Sequence, residues 1–518
     1  MLILLRIFIT VISAIFLALS FTNRSFQIFS FLFYLPFLDA LCRLNGKKRY
    51  FFILLFYLTF WFVLTFWIRI FHFLALPSVL LGFTIYISLW TFLTSFILNK
   101  FQRYRVILIP VLIIALEYFT EIGYLGFPWG PAAGSVSFKL PLIQVADIGG
   151  VHFVSFLVVL VNMIVYEILS SLKEKNRLIK YSISLVIILI LWYSYGIFRL
   201  SEPLSQTSFR AGLVQVNVNP RYDWQKIKDK VLERLEYYTA MAVKKDADII
   251  IWAETSVLDY MLHYLRYVKV IPDYKDASEF GKKVLSIPVK YKIPLLTGIP
   301  DVEISIDRTF HYYNSAIMIN TNGRVIAKYD KIHLVPFGEW FPFAHIFPFI
   351  KKLLDSLEAG DYTPGKNYTL FPFKDKFFSV LICYEGVFGE LGREFSKRGA
   401  DFFVNITDDM WNFDKRAHMQ HTILDIFRAV ENRSPFLRCG NSGITCIIDP
   451  HGKISDMIKP LQPGYLVSDV KFLQKKRITV FMAFGFLFGR LCLFFMLILA
   501  TFTFILNIVS KIKLNIKE

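Results

Sequence analysis

Three side chains of complementary chemistry stand at the ends of apolar, β-rich runs of the sequence. They are Glu254, Lys331 and Cys383. A carboxylate can take the proton of a thiol, and an ammonium group can stabilise the negative oxygen of a tetrahedral intermediate. The three residues therefore predict a cysteine nucleophile assisted by a glutamate base and a lysine cation.

Each of the three residues also has a purely structural interpretation. Glu254 could cap a helix, Lys331 could be a surface charge beside Asp330, and Cys383 could be a core thiol. Free cysteine is among the most buried residue types, so a thiol at a strand end is not by itself a nucleophile. The surrounding chain has to decide between these alternatives.

An α/β pattern between about residues 208 and 472 would position the three side chains. The charged stretch 224–245 predicts an amphipathic helix, and turn pairs at Asn322-Gly323 and His451-Gly452 are typical of hairpins. Strands are predicted at 209–217, 247–252, 293–298, 314–319, 378–383, 401–405 and 443–448. This alternation favours a layered sandwich of sheets and helices.

The rest of the chain has the composition of a membrane protein. Of its 518 residues, 55% are hydrophobic and only 19% are charged. Runs of bilayer length lie at about 1–21, 25–42, 50–71, 76–98, 105–122, 150–170, 179–199 and 478–509. We therefore expect a multi-span α-helical membrane domain of about seven helices over 1–200, an α/β domain over 208–472, a C-terminal transmembrane helix over 478–509 and a tail over 510–518.

The basic residues of the loops predict the orientation of these spans. Clusters of Lys and Arg at 43–49, 100–105, 173–180 and 511–517 occupy alternate loops and the C-terminal tail. By the positive-inside rule these segments are cytoplasmic, which places both termini in the cytoplasm and the α/β domain outside it. This topology accounts for the net charge of +18, and the chain has no basic, aromatic-interleaved stretch typical of nucleic-acid binding.

The residues around the three candidates resemble a known superfamily. The segments Trp-Ala-Glu254-Thr-Ser, Tyr-Asp-Lys331-Ile-His and Ile-Cys383-Tyr-Glu resemble the Glu-Lys-Cys triad of the nitrilase, or carbon–nitrogen hydrolase, superfamily. In this membrane context the chain is similar to the bacterial apolipoprotein N-acyltransferase family, with further likeness at Gly126-Phe-Pro-Trp129 and over residues 144–157. The resemblance implies a nitrilase-like αββα sandwich on the periplasmic side of the bacterial cytoplasmic (inner) membrane.

The resemblance also implies a two-stage acyl transfer without a metal or diffusible cofactor. Glu254 would deprotonate Cys383, and the thiolate would take an acyl chain from a membrane phospholipid as a thioester. Lys331 and the backbone N–H of Tyr384 would stabilise the oxyanion. The free amine of the N-terminal diacylglyceryl-cysteine of an apolipoprotein would then accept the acyl chain. Phospholipid and apolipoprotein are thus the expected partners of a monomeric enzyme.

Further site residues follow from the same resemblance. Glu339 matches a family glutamate that supports the lysine and the base, and Glu385 would help to position the active-site loop. Matches on the substrate side are Trp129, Trp411, Arg438 and Asn441, although a structural role for Arg438 and Asn441 fits equally well. The chain departs from the family pattern over 408–413, which leaves the substrate-side detail open.

Two short segments of the α/β domain are unusually apolar and aromatic, at 260–268 and 340–350. They are too short to span a bilayer, and their composition is typical of segments that dip into the membrane interface. Burial within the domain core is an equally good interpretation of short apolar runs.

Two other functions are compatible with parts of the sequence. A membrane-tethered amidase of the nitrilase type would need the same triad, but it would not explain the apolar segments. A non-catalytic receptor or transporter with an inactive nitrilase-like domain would not need the triad to be complete. The complete triad and the few charges within the spans favour the acyltransferase.

Overall fold

The computed structural model describes residues 2–123, 125–205, 209–219, 222–254, 256–340, 362–409, 413–475 and 477–515. The chain forms two compact units. One comprises residues 1–201 together with 479–518, and the other comprises residues 202–478.

The first unit is helical, as expected from its apolar runs. Its helices up to residue 201 are α1 (Leu2–Ser20), α2 (Leu35–Arg43), α3 (Gly46–Thr65), α4 (Ala75–Phe101), α5 (Arg105–Glu121), α6 (Leu140–Ile143), α7 (Ala146–Ser170) and α8 (Lys175–Leu200).

Several of these helices are suited to a membrane. Among the described residues, six helical stretches are long and apolar enough to cross a bilayer: Leu2–Ser20, Gly46–Ile70, Ala75–Glu121, Ala146–Ser170, Lys175–Leu200 and Leu487–Ser510. The longest of them consists of α4 and α5, which are separated by a 3-10 turn at Gln102–Tyr104. The helical region and its membrane-spanning candidates confirm the expected class of this unit.

The span predicted at 25–42 is not one continuous helix. It contains a 3-10 helix, Phe26–Phe29, and the nine-residue α2, which has Pro36 in its first turn. Proline lacks the N–H that a continuing helix would need and is favoured where a helix begins. At about 1.5 Å per residue, α2 is too short to cross a bilayer.

The Gly- and Pro-rich loop after α5 folds back into the helical unit. A short 3-10 helix, Ala132–Val136, is buried there. Its first backbone N–H groups donate to side chains of the long helices, Ala132 to Oε1 of Glu117 (2.8 Å) and Ala133 to Oγ of Ser155 (3.0 Å). These bonds satisfy backbone groups that the apolar surroundings would leave without water.

The second unit contains two six-stranded sheets. Its strands are β1 (Phe209–Gln215), β2 (Ile249–Trp252), β3 (Leu295–Ile304), β4 (Phe310–Ile319), β5 (Val325–Asp330), β6 (Leu370–Phe373), β7 (Lys376–Ile382), β8 (Phe402–Thr407), β9 (Phe436–Gly440), β10 (Thr445–Ile448), β11 (Ile454–Ile458) and β12 (Gly464–Val470). The strand orders are β12-β1-β2-β3-β4-β5 and β11-β10-β9-β8-β7-β6. In each sheet three central strands are parallel, β1 to β3 and β7 to β9.

Helices cover these sheets. They are α9 (Trp224–Val243), α10 (Met261–Tyr267), α11 (Lys275–Tyr291), α12 (Gly389–Lys397) and α13 (Lys415–Asn432). Leu235 of α9 and Val284 of α11 are buried in one cluster with Ile250 of the first sheet. The sheets face each other, because the Cys439 thiol of β9 lies 3.4 Å from the carbonyl oxygen of Val214 in β1. The predicted αββα sandwich is confirmed.

The chain then returns to the helical unit. Its last helices are α14 (Val480–Phe484) and α15 (Leu487–Asn515). Between them lies Gly485, whose φ of 63° is accessible to glycine at low cost. The span predicted at 478–509 is therefore divided, and its long helix begins at Leu487.

Candidate active site

The three candidate residues of the sequence meet at the carboxyl ends of their strands. Glu254 comes two residues after β2, and Lys331 and Cys383 directly follow β5 and β7. The Nζ atom of Lys331 lies 4.0 Å from Oε1 of Glu254. Cys383 is close enough for both charges to influence its pKa. The first sheet thus supplies the carboxylate and the ammonium, and the second supplies the thiol.

Lys331 is a buried cation held by carboxylates. Its Nζ atom donates to Oε1 of Glu339 at 2.8 Å, and only 1% of the residue is exposed. Burial alone would lower the lysine pKa, but the carboxylates of Glu339 and Glu254 outweigh burial and raise it. Lys331 therefore remains charged at neutral pH and can stabilise a negative oxygen.

Glu254 has the environment of a general base. Its Oε1 atom accepts a hydrogen bond from Nδ2 of Asn314 (2.8 Å), and its Oε2 atom accepts one from the backbone N–H of Asp408 (2.7 Å). Burial raises the pKa of Glu254 to about 7, although Lys331 opposes the shift. A carboxylate with this pKa can accept and return a proton near neutral pH.

Asn314 is a residue of the site that the sequence analysis did not single out. It lies on β4, and its Nδ2 atom donates to Glu254 Oε1 (2.8 Å) and to Glu339 Oε1 (2.9 Å). One amide thereby spaces the two carboxylates around Lys331. The available signal was an asparagine within a predicted strand, a position where this residue type is depleted.

Cys383 occupies a strained position. It is the first residue of a 3-10 helix, Cys383–Val387, and its φ of 51° is in the left-handed region. For a residue with a side chain this conformation costs about 1–3 kcal/mol. Burial and the negative charge of Glu254 raise the pKa of the thiol, while Lys331 lowers it. The resting residue is therefore a neutral thiol that needs a base.

Glu385 ties the lysine loop to the cysteine turn. Its Oε1 atom accepts hydrogen bonds from the Tyr329 hydroxyl (2.8 Å) and from the backbone N–H groups of Ile332 (2.7 Å) and His333 (2.9 Å). Its Oε2 atom accepts one from the backbone N–H of Ile382 (2.8 Å). The residue before it, Tyr384, packs its ring 5.0 Å from the ring of Phe388. Glu385 therefore fixes Lys331 and Cys383 with respect to each other.

Arg438 and Asn441 are buried beneath these residues. Arg438 donates to Asp409 Oδ2 and to Asp425 Oδ2, both at 2.7 Å. Asn441 Nδ2 donates to the Val218 carbonyl (2.6 Å) and to Asp408 Oδ1 (3.1 Å). These contacts favour the structural interpretation of Arg438 and Asn441 that the sequence had left open.

The two tryptophans predicted on the substrate side lie outside the described part of the α/β unit. Trp129 belongs to the helical unit, where it is buried and its ring lies 5.4 Å from that of Phe127. Trp411 lies outside the described residues, as do its neighbours 410 and 412. In the segment 408–413, where the sequence departs from the family pattern, Asp409 is buried and Phe413 is exposed.

The apolar segment at 260–268 forms α10 and packs onto the domain. Met261 and His263 are buried, and Arg266 donates to Asp301 Oδ2 at 2.9 Å. Burial is thus the better interpretation of much of this segment. Of the second segment, 340–350, only Trp340 lies within the described residues.

Comparisons with known proteins match both units of the chain. The family model described as Carbon-nitrogen hydrolase matches residues 210–473, and the one described as Apolipoprotein N-acyltransferase N-terminal domain matches residues 13–164. The chain is 30% identical over 478 residues to "Apolipoprotein N-acyltransferase" of Geobacter metallireducens, covering 89% of this chain and 88% of that protein. It is 29% identical over 516 residues to "Apolipoprotein N-acyltransferase 1" of Treponema denticola, covering 94% of each.

Among solved structures, Saccharomyces cerevisiae Nit3, a member of branch 10 of the nitrilase superfamily, aligns with a TM-score of 0.39 and 22% identity. That alignment covers 53% of this chain and 92% of Nit3.

Proposed function

The chain belongs to the apolipoprotein N-acyltransferase family and is an acyltransferase, and on that premise we propose that it moves a phospholipid acyl chain, through a Cys383 thioester, to the N-terminal amine of an apolipoprotein. The observation that carries this proposal is a half-buried thiol beside a buried carboxylate and a buried ammonium, in a chain that also has helices long enough to span a membrane.

The first stage forms the thioester. As Sγ of Cys383 attacks the ester carbonyl of the phospholipid, Glu254 takes the thiol proton. Lys331 and the backbone N–H of Tyr384 stabilise the oxyanion. The ester C–O bond then breaks, and Glu254 returns the proton to the departing oxygen, which releases a lysophospholipid. The raised pKa values of the thiol and of Glu254 support base-assisted attack over a preformed thiolate.

The second stage transfers the acyl chain. The free amine of the diacylglyceryl-cysteine attacks the thioester carbonyl, and Glu254 takes a proton from that amine. The C–S bond breaks as the amide forms, and the proton passes from Glu254 to the Cys383 sulfur. The family name of the relatives supports this acceptor.

Two further glutamates have supporting roles in this scheme. Glu339 keeps Lys331 charged and oriented through its 2.8 Å hydrogen bond. Glu385 holds the lysine loop against the cysteine turn through four hydrogen bonds. Neither carboxylate has to touch the substrate for these roles.

The enzyme would act at the outer face of the cytoplasmic membrane of a bacterium. The chain is a bacterial membrane protein, as its helices and relatives indicate. The alternating basic loops support a catalytic unit on the periplasmic side and cytoplasmic termini. Phospholipid and diacylglyceryl protein both reside in this membrane, so the substrates need not leave it.

The purified full chain in detergent, incubated with a phospholipid that is labelled in its acyl chains, tests the proposal. We expect hydroxylamine-labile label on the wild-type protein and none on Cys383→Ala. A diacylglyceryl-cysteine peptide should then receive the label, whereas the same peptide with an acetylated amine should not. Absence of label on the wild type, or discharge only to water, would contradict the proposed transfer.

A further inference from the structure

A buried polar network lies directly beneath the cysteine turn, and the two stages above make no use of it. Asn405 lies on β8, the strand next to β7, and is fully buried. Its Nδ2 atom donates to the carbonyl oxygens of Leu381 and Cys383, each at 3.1 Å. The amide therefore binds the backbone on both sides of Ile382, where β7 ends and the turn begins.

The orientation of the Asn405 amide is fixed by Arg438. Nη1 of Arg438 lies 3.1 Å from Oδ1 of Asn405. A guanidinium group can only donate, so Oδ1 has to face it and the amide N–H groups have to face the cysteine turn. Arg438 is itself held at both ends by Asp409 and Asp425, each at 2.7 Å.

The turn and the network are packed without spare room. A Cβ atom added at Gly386 would lie 2.7 Å from Oδ1 of Asp425 and 2.9 Å from Nδ2 of Asn405. The 3-10 helix that begins at Cys383 therefore rests on these side chains. Because Cys383 has an unfavourable φ of 51°, contacts of this kind have to hold it there.

We propose that Asn405 is a positioning residue of the reaction: its amide, oriented by Arg438, holds Cys383 in the left-handed conformation that directs the thiol to Glu254 and Lys331. Asn405 does not touch the substrate in this role. Its effect on catalysis rests on the proposed function, whereas its effect on the reactivity of Cys383 does not.

The principal variant is Asn405→Asp in the full chain. Aspartate keeps the size of the side chain and an acceptor for Arg438, but it lacks the N–H groups that the two carbonyls need. We expect thioester formation to slow by about 100-fold at unchanged KM for phospholipid, because a small displacement of the thiol suffices for such a loss. Alkylation of Cys383 by iodoacetamide, followed by peptide mass spectrometry, should slow by at least about tenfold.

Asn432→Asp is the matched control. Asn432 is also buried and donates to the Arg428 carbonyl (2.9 Å) while accepting from Ser396 (2.9 Å), but it joins α13 to α12. This variant should lose comparable thermal stability and keep the wild-type reactivity of Cys383. If Asn405→Asp reacts like the wild type, or loses no more reactivity than the control, the proposal is overturned.

A second variant covers the case in which Asn405→Asp does not fold. Arg438→Lys keeps a cation for Asp409 and Asp425 but loses the fork that also reaches Asn405. It should fold and show slower alkylation of Cys383, and wild-type reactivity in this variant would overturn the proposal. Alkylation requires no acyl donor, so it still decides the role of Asn405 if phospholipid fails to acylate the wild-type protein.

Discussion

The ammonium of Lys331 lies 4.0 Å from the carboxylate of Glu254, close enough for electrostatic attraction but beyond hydrogen-bond distance. Lys331 instead donates to Glu339 at 2.8 Å. The separation leaves Glu254 basic enough to accept a proton, while Lys331 stays charged. Asn314 helps to keep the base and the cation apart, because its amide donates to the carboxylates of both Glu254 and Glu339.

The first prediction concerns the pH dependence of thioester formation. Because burial raises the pKa of Glu254 to about 7, the base is protonated below that pH and ionised above it. The rate should therefore rise with pH through about 7 and then level off. Single-turnover measurements with labelled phospholipid across this range would show the acid limb. Glu254→Gln should slow the reaction by about 10²–10⁴-fold and lack that limb, and an unchanged limb in this variant would assign it to another group.

The second prediction separates Lys331 from a neighbouring lysine of the same strand region. Lys331→Met removes the cation that would face the oxyanion, so thioester formation should fall by about 10²–10³-fold. Lys328→Met is the control, because Lys328 pairs with Asp301 at 2.6 Å without contacting the triad in any described bond. It should cost thermal stability but keep most of the acylation rate. Equal rate losses in the two variants would contradict the oxyanion role of Lys331.

The third prediction concerns Glu385. Glu385→Gln replaces one of its two accepting oxygens with a donor, which cannot serve the backbone N–H of Ile382 and the lysine loop together. Each lost hydrogen bond to a charged group is worth about 1.5–3 kcal/mol, so the melting temperature should fall. Thioester formation should slow as well, because Lys331 and Cys383 lose their common anchor. A variant with wild-type stability and rate would show that the four hydrogen bonds of Glu385 are dispensable.

The fourth prediction tests the orientation of the chain in the membrane. In a chain that carries Cys383→Ala, a cysteine introduced at the exposed Lys244, after α9, should react with a membrane-impermeant maleimide added to intact spheroplasts. A cysteine at the exposed Lys173, between α7 and α8, should react only after the membrane is permeabilised. The opposite pattern would place the catalytic unit in the cytoplasm.

The sequence predicted the central strands of both sheets better than their edges. All seven predicted strands are present. Of the five strands that were not predicted, four are the edge strands β5, β6, β11 and β12, and the fifth is the central strand β9. An edge strand is covered less completely than a central one and carries a weaker apolar pattern, as the exposed middle of β11 shows. Hydropathy likewise could not show that residues 25–42 are broken by turns, because the broken and the continuous forms have the same composition.

The residues of the candidate site likewise fall into those that the sequence could predict and those that it could not. Glu254, Lys331 and Cys383 could be proposed from the sequence because their chemistry is reactive and each follows a strand. Asn314 and Asn405 could not, because an amide acquires its role from partners on other strands. Only the pairing of the strands brings Asn405 to Cys383 and Asn314 to both carboxylates.

The division of the triad between two sheets also affects when the site forms during synthesis and folding. Glu254 and Lys331 emerge with the first sheet, and Cys383 emerges later with the second. Until the sheets dock, the thiol has neither base nor cation beside it. A chain still being translocated would thus lack the complete triad, and the proposed acyl transfer would begin only in a completed domain.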